Sequence, residues 1–275
     1  MKNYRSSIPQ SAEERIVATH GSTGKKKTAE FAIDGKIVGY RFFDEEGNLA
    51  LERPLKDNGI DGTQYYFGSV EGRLVVTFAE PYRNGLAHGV VRQWAEDGTP
   101  IGTHSMKCGT GIDLWRHRVM ECSGEVCRLK GYYLHEARYI KGGKWHGFEW
   151  WLNEDGKGVH EENHFHEDLQ HGIERQWNHA GKLSRGYPRY WVRNERVTKR
   201  QYLRACAKDS SLPPFRADDN RPEREFPPEV AAAVTAAHKI GGRDKARANT
   251  GEPSVSHSST GKGEAPIPAA ARLTG

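Results

Sequence analysis

Tyr82-Arg83-Asn84-Gly85-Leu86-Ala87-His88-Gly89-Val90-Val91-Arg92-Gln93-Trp94 is the stretch from which the fold can be read. Asn84-Gly85 is a dipeptide that tolerates positive φ at both central positions of a tight hairpin turn. After Gly89 the side chains alternate, with Val90, Arg92 and Trp94 on one face and Gln93 on the other. A turn followed by a short alternating run is a hairpin strand, not a helix.

The same arrangement recurs along the chain. His171-Gly172 is followed by Trp177 and Gly181 at the spacings by which Trp94 and Gly98 follow His88-Gly89, and His146-Gly147 is followed by Leu152 and Gly156. Weaker copies start at Gly39, with Phe43 and Gly47, and at Gly62, with Phe67 and Gly72, and a degenerate one starts near Gly111, with Trp115. Upstream turns are expected at Asp34-Gly35, Asn58-Gly59, Asn84-Gly85 and Gly142-Gly143. Self-similarity at this period marks a repeat architecture of roughly six hairpin units. Hairpins this close leave no room for crossover helices, so the strands must be antiparallel neighbours in sequence order.

The expected fold is therefore all-β, an elongated antiparallel meander over residues 30–197. The parity predicts one packed face, carrying Thr63, Tyr65 and Phe67, Phe148, Trp150 and Leu152, and Ile173, Arg175 and Trp177. The other face, with Gln93, Glu149, Glu174 and Gln176, is expected to be wet. Gly85, Gly89, Gly143, Gly147, Gly172 and Gly181 are turn glycines of the repeats. The step from Gly89 to Gly147 is about twice the others, so an insertion is expected near 107–138.

Outside the repeats, residues 1–29 are expected to be a partly disordered N-terminal segment. After 198 a capping helix, a proline-rich arm anchored by Phe215 and Phe226 and a short helix starting at Pro228 should reach to 242, with a disordered tail over 243–275.

Composition agrees with a thin sheet: 36% hydrophobic and 10% aromatic residues, 31 glycines and a mean hydropathy of -0.81. Residues 1–198 hold 28 basic and 27 acidic side chains against 13 and 9 beyond, a mild imbalance unlike that of a dedicated nucleic-acid binder. No apolar run approaches a membrane span or a secretory leader, which predicts a cytoplasmic protein with reduced thiols and no disulfides.

The repeat units, above all Tyr82-Arg-Asn84-Gly85-Leu-Ala-His88-Gly89 with Trp94 and Gly143-Lys-Trp-His146-Gly147 with its Trp-Trp pair, resemble those of the MORN-variant proteins, a bacterial branch often labelled antitoxins. The resemblance covers about residues 30–197 and implies a β-hairpin array that serves as a scaffold or neutralises a toxin. Most units lack the closely spaced Gly-x-Gly ending of the standard MORN pattern.

Chemistry is sparse. Cys108, Cys122 and Cys127 with His117 or His104 offer three thiolates and an imidazole, the right donors for zinc at spacings of no standard zinc motif. His88, His146 and His171 fall about two strands apart and predict a ladder of exposed turn histidines, with His164 and His166 nearby. Glu149 and Glu174 could pair as carboxylates, but without an accompanying pocket or phosphate loop they read as solvated strand residues. The expectation is a non-enzyme with no cofactor, binding a protein through Trp94, Trp151 and Trp177 and the cluster Arg185, Arg189, Tyr190, Trp191 and Arg193. The alternative partner is nucleic acid, stacked and neutralised by that same cluster over 185–196.

Overall fold

The computed structural model describes residues 3–70, 72–123 and 126–237. The chain is all-β and antiparallel, with neighbours in sequence order, as the repeat reading requires. A first sheet holds β1 (Glu13–Thr19), β2 (Lys26–Ile33), β3 (Lys36–Phe43), β4 (Leu49–Lys56), β5 (Gly59–Ile60), β6 (Gly62–Val70), β7 (Arg73–Arg83), β8 (Leu86–Ala87), β9 (Gly89–Trp94) and β10 (Pro100–Met106). A second holds β11 (Gly111–Ser123), β12 (Val126–Lys141), β13 (Lys144–Leu152), β14 (Val159–His166), β15 (Leu169–Gln170), β16 (Gly172–Gln176), β17 (Arg189–Val192) and β18 (Glu195–Val197).

Seven tight turns define the repeat. The pairs Asp34-Gly35, Asp57-Asn58, Asn84-Gly85, Cys108-Gly109, Gly142-Gly143, Glu167-Asp168 and Arg193-Asn194 all have positive φ at both residues, the requirement of a type I′ hairpin. Their second residues are 23 to 27 positions apart, except for the 34 between Gly109 and Gly143. Successive turns stack by hydrogen bonds: Gly85 N to Ile60 O and Gly109 N to Ala87 O, both 2.8 Å, Gly143 N to Gly109 O at 2.8 Å, Asp168 N to Trp145 O at 3.0 Å, and Asn194 N to Gln170 O at 2.9 Å. This spine runs through both sheets. It counts seven units where the sequence suggests six, and it moves the second turn one residue upstream of Asn58-Gly59.

The long step is not a degraded repeat. β11 and β12 pair from Gly111↔Ile140 to Ser123↔Val126, with register shifts between Trp115 and Arg116 and between Val119 and Met120, so the extra residues lengthen the hairpin at its far tip. Cys122 and Cys127 form a disulfide there, which corrects the expectation that all thiols are free. Cross-strand partners in register bring the two sulfurs together, and spacing in the sequence alone does not reveal that register.

The expected single sheet breaks between β10 and β11, which keep only the Lys107↔Thr110 bridge. Beyond it β11 folds over β10 at Gly102, where an added Cβ would come within 1.9 Å of the Arg116 guanidinium carbon. Gln93 replaces the missing ladder, its Nε2 donating to Arg116 O at 2.7 Å and its Oε1 accepting from Arg116 N at 3.0 Å. Phe78 stacks on Trp115 at 4.3 Å, and Val91, Met106 and Ile140 close a core between the sheets.

That fold-back overturns the division into a packed and a wet face. Val91, on the polar parity of its strand, is buried, as are Gln64 and Glu149. Glu149 is held by Arg138 (3.1 Å) and Asn163 (3.1 Å). Val90 is instead 39% exposed.

The first and last described segments both pack on the sheets. Residues 13–29, expected to precede the sheet and to be partly disordered, supply β1 and the start of β2, and Ile8 packs on Ala29 and Phe31. After β18, helix α1 (Lys199–Cys206) starts at a capping box between Thr198 and Gln201 and buries Tyr202. The proline-rich arm then docks, a point the sequence leaves open, with Phe215 near Tyr190 (6.2 Å) and Phe226 on Trp150 (5.7 Å). Residues 228–237 are helical and pack Val230 and Ala233 against Leu114, Trp150, Leu152 and Trp177. The tail expected to be disordered, 243–275, lies outside the described residues. Among the described residues no helix is long and apolar enough to cross a membrane.

Candidate functional site

Two copies of one motif, His88-Gly89-Val90-Val91-Arg92-Gln93-Trp94 and His171-Gly172-Ile173-Glu174-Arg175-Gln176-Trp177, sit at equivalent places in the two sheets. Arg92 pairs across the ladder with Ala79, and Arg175 with Glu162. In each copy the glycine approaches the residue two further along the partner strand, Pro81 and His164. Alike in backbone, the copies differ in what lies on them.

The second copy is covered. Ile173 and Arg175 are each 1% exposed and Trp177 is 5%. Arg175 forms a close ion pair with Glu162, whose other oxygen accepts from the Trp150 indole (2.9 Å) and from Arg224 Nε (2.8 Å). Burial alone would push the Glu162 carboxyl up; His164, Arg224 and Arg175 outweigh it and hold the group at about 2. The arm completes the site. Arg175 Nε donates to Asn220 Oδ1 at 3.3 Å, Asp219 stands 3.8 Å from its Nη2, the Trp177 indole donates to Asn220 O at 2.8 Å, and Arg224 lies over the Trp177 ring.

The first copy is open. Val90, Arg92 and Trp94 join Thr63, Tyr65, Ala79 and Pro81 around a shallow depression of about 280 Å³ with Asn3 at its rim. Tyr4 rests edge-on against Tyr65 (5.1 Å) and Phe67 (5.2 Å), where Phe226 lies on Trp150 in the other copy. Arg92 is exposed and, among the described residues, donates to the carbonyl of Val90 at 3.1 Å. Where Glu162 neutralises Arg175, the first copy has Ala79.

The other singled-out residues are dispersed. Trp177 lies beneath the arm, and Trp151 sits edge-on to His135 at 4.9 Å. Arg185 and Arg193 are exposed, whereas Tyr190 is in the core against Tyr202. Glu174 accepts from both Arg189 (3.2 Å) and the Trp191 indole (2.7 Å). Of the two carboxylates considered as a pair, Glu149 is thus tied to Arg138 and Glu174 to Arg189 and Trp191.

The thiols and imidazoles do not converge. Cys122 and Cys127 are joined to each other, Cys108 Sγ lies 3.5 Å from His88 Nδ1, and His104 faces Asp113 at 3.1 Å. His117 stacks near His135 (5.4 Å), and no group of three or more His, Cys, Asp or Glu side chains among the described residues is placed to hold a metal ion.

Of the expected ladder of His88, His146 and His171, the first lies beside Cys108 while the last two are linked in a row through His166, with His146 to His166 at 4.7 Å and His166 to His171 at 5.6 Å between ring centroids. Its members are not all exposed turn residues, because His171 is 1% exposed. His171 Nδ1 accepts from the Arg193 backbone (3.1 Å), as His88 Nδ1 does from Cys108 (3.2 Å), so each imidazole pins the turn of the next unit. Ser211 and Asp209 both approach His171 Nε2, at 3.1 and 3.4 Å. A nucleophilic triad places acid and hydroxyl on opposite ring nitrogens.

No family model, curated protein or solved structure matches the chain.

Glu162, Asn220 and Arg224 escaped the sequence reading because their contacts span 43 to 62 residues, beyond any local period. The substitution of Ala79 for an acid was a legible signal once the copies are laid side by side.

Proposed function

We propose that this chain is a non-enzymatic repeat protein that binds a protein partner through the open face around Val90, Arg92 and Trp94. One observation carries the reading: of two like copies of the motif, one is covered by the chain's own arm and the other offers an aromatic, a cation and an exposed aliphatic side chain to solvent. Trp, Tyr and Arg in a shallow, partly desolvated patch are the side chains that concentrate binding energy at protein interfaces. The depression is broad and shallow, which suits a protein surface better than an enclosed small molecule. The resemblance to MORN-variant repeats favours a scaffold or a toxin-neutralising role for this binding.

The test is capture from native lysate with the full chain and with Arg92→Glu, each with and without nuclease, read by mass spectrometry. The reading expects a stoichiometric protein that survives nuclease and is lost with Arg92→Glu. Recovery that depends on nucleic acid, or that ignores the substitution, would contradict it.

A further inference from the structure

The covered copy of the motif displays the kind of ligand the open copy is built to take. Over Arg175 and Trp177 lies a short segment, the 3-10 turn Asp218-Asp219-Asn220 followed by Arg221-Pro222, that supplies an acidic and an amide side chain to the guanidinium, a backbone carbonyl to the indole N–H and a proline to the hairpin end. Two of these seats, the proline's and the carboxylate's, have counterparts in the first copy that no described residue fills. Pro222 packs 3.5 Å from the Cβ position of Gly181, whereas that of its equivalent, Gly98, faces open space. Arg92, lacking the carboxylate that Glu162 provides to Arg175, has its charge unneutralised by its ladder partner Ala79.

We infer that the Val90–Arg92–Trp94 groove binds a short acidic, proline-containing peptide segment of another protein, presented as a turn in the manner in which 218–222 covers Arg175 and Trp177. The inference rests on the protein-binding reading of this face and specifies its ligand. A carboxylate on Arg92 would form a charge-assisted bond, and a main-chain carbonyl on the Trp94 indole would fix the position of the turn over the ring. The N-terminal segment shapes one wall, since Tyr4 already fills the aromatic seat that Phe226 occupies in the second copy. The ligand therefore needs no aromatic anchor of its own. Acid, amide and proline suffice.

The probe is a fluorescein-labelled synthetic peptide with the sequence of residues 216–225, titrated against the full chain by fluorescence anisotropy. Saturable binding is expected, with a dissociation constant on the order of 10–100 μM for so small a contact. Arg92→Glu should weaken it at least about tenfold, and replacing both aspartates of the peptide by serine should do the same, each by loss of the charge-assisted pair. Trp94→Phe, which keeps the ring and removes the N–H, should weaken it about fivefold, in line with one lost hydrogen bond. Absence of saturation at millimolar protein overturns the inference. So does binding of equal strength to Arg92→Glu, because the peptide would then be displacing the chain's own arm. If the peptide fails while a protein captured from lysate is still lost with Arg92→Glu, the face binds a partner of different chemistry and the broader reading stands.

Discussion

Replacing Glu162 by glutamine should detach the arm and cost a large part of the chain's stability. The amide keeps the size of the side chain and can still accept from the Trp150 indole, but it removes the charge that Arg175 and Arg224 share. The shift of the carboxyl from its ordinary 4.5 to about 2 corresponds to about 3 kcal/mol, at about 1.4 kcal/mol per unit. Breaking a buried ion pair from one side, which leaves Arg175 charged and unpaired, gives a similar ~3–5 kcal/mol. Against a typical stability of about 5–15 kcal/mol, such a loss is visible in equilibrium urea denaturation.

The folded carboxyl lies below its unfolded value, so its contribution is fully present above pH 4.5 and is lost as pH falls toward 2. Wild type and variant should therefore converge in acid. Trypsin adds a local readout, because Arg216 and Arg224 should become cleavable once the arm lifts. A loss below about 1 kcal/mol at neutral pH, with the arm still protected, would refute the argument that this cluster clamps the arm.

Other outcomes follow from single residues. Arg116 is 6% exposed with Nε and Nη1 unpartnered, and burial lowers its pKa to about 10; Arg116→Met should raise stability by about 1–2 kcal/mol in thermal denaturation, since it removes an uncompensated buried charge. His135 is pushed down to about 4 by burial and by His117 and His160, while Tyr133 stands 2.6 Å from its Nδ1. Its contribution is complete above pH 6.5 and declines as pH falls toward 4, by up to about 2 kcal/mol after allowing for partial exposure. NMR titration of the ring should show no protonation at pH 5.5, and His135→Phe should flatten that part of the stability profile. Gly85 has φ of 79° with open space at its Cβ position, whereas Gly21 has open space without a left-handed φ; Gly85→Ala should cost about 1–2 kcal/mol and Gly21→Ala next to nothing, measured by chemical denaturation.

The repeat and its antiparallel order were legible because they depend on local signals, turn dipeptides and period-two alternation, whereas the docking of Phe215 and Phe226 on the sheet was not, because it depends on Tyr190 and Trp150, distant in the chain. Three turns carried no such signal. Cys108-Gly109, Glu167-Asp168 and Arg193-Asn194 adopt the same left-handed pair without the expected dipeptides, held by the stack of neighbouring turns. The fold-back at Gly102 was hidden for a related reason, as it depends on Arg116, Gln93 and Trp115 meeting across the break. Once the sheets close on each other, strand parity ceases to report burial, which is why Glu149 and Val91 are inside and Val90 is not. Of the candidate binding residues, Trp94 lines the open groove while Trp177, at the equivalent place of a similar motif, lies under the arm. The exchange of Glu162 for Ala79 and the distant segment over each copy distinguish them.

Hydroxyl-radical footprinting of the full chain, read residue by residue by mass spectrometry, tests that contrast most directly. The account predicts ready oxidation of Trp94 and strong protection of Trp177, with protection of Trp177 lost in Glu162→Gln. Equal labelling of the two tryptophans in the wild-type protein would contradict it.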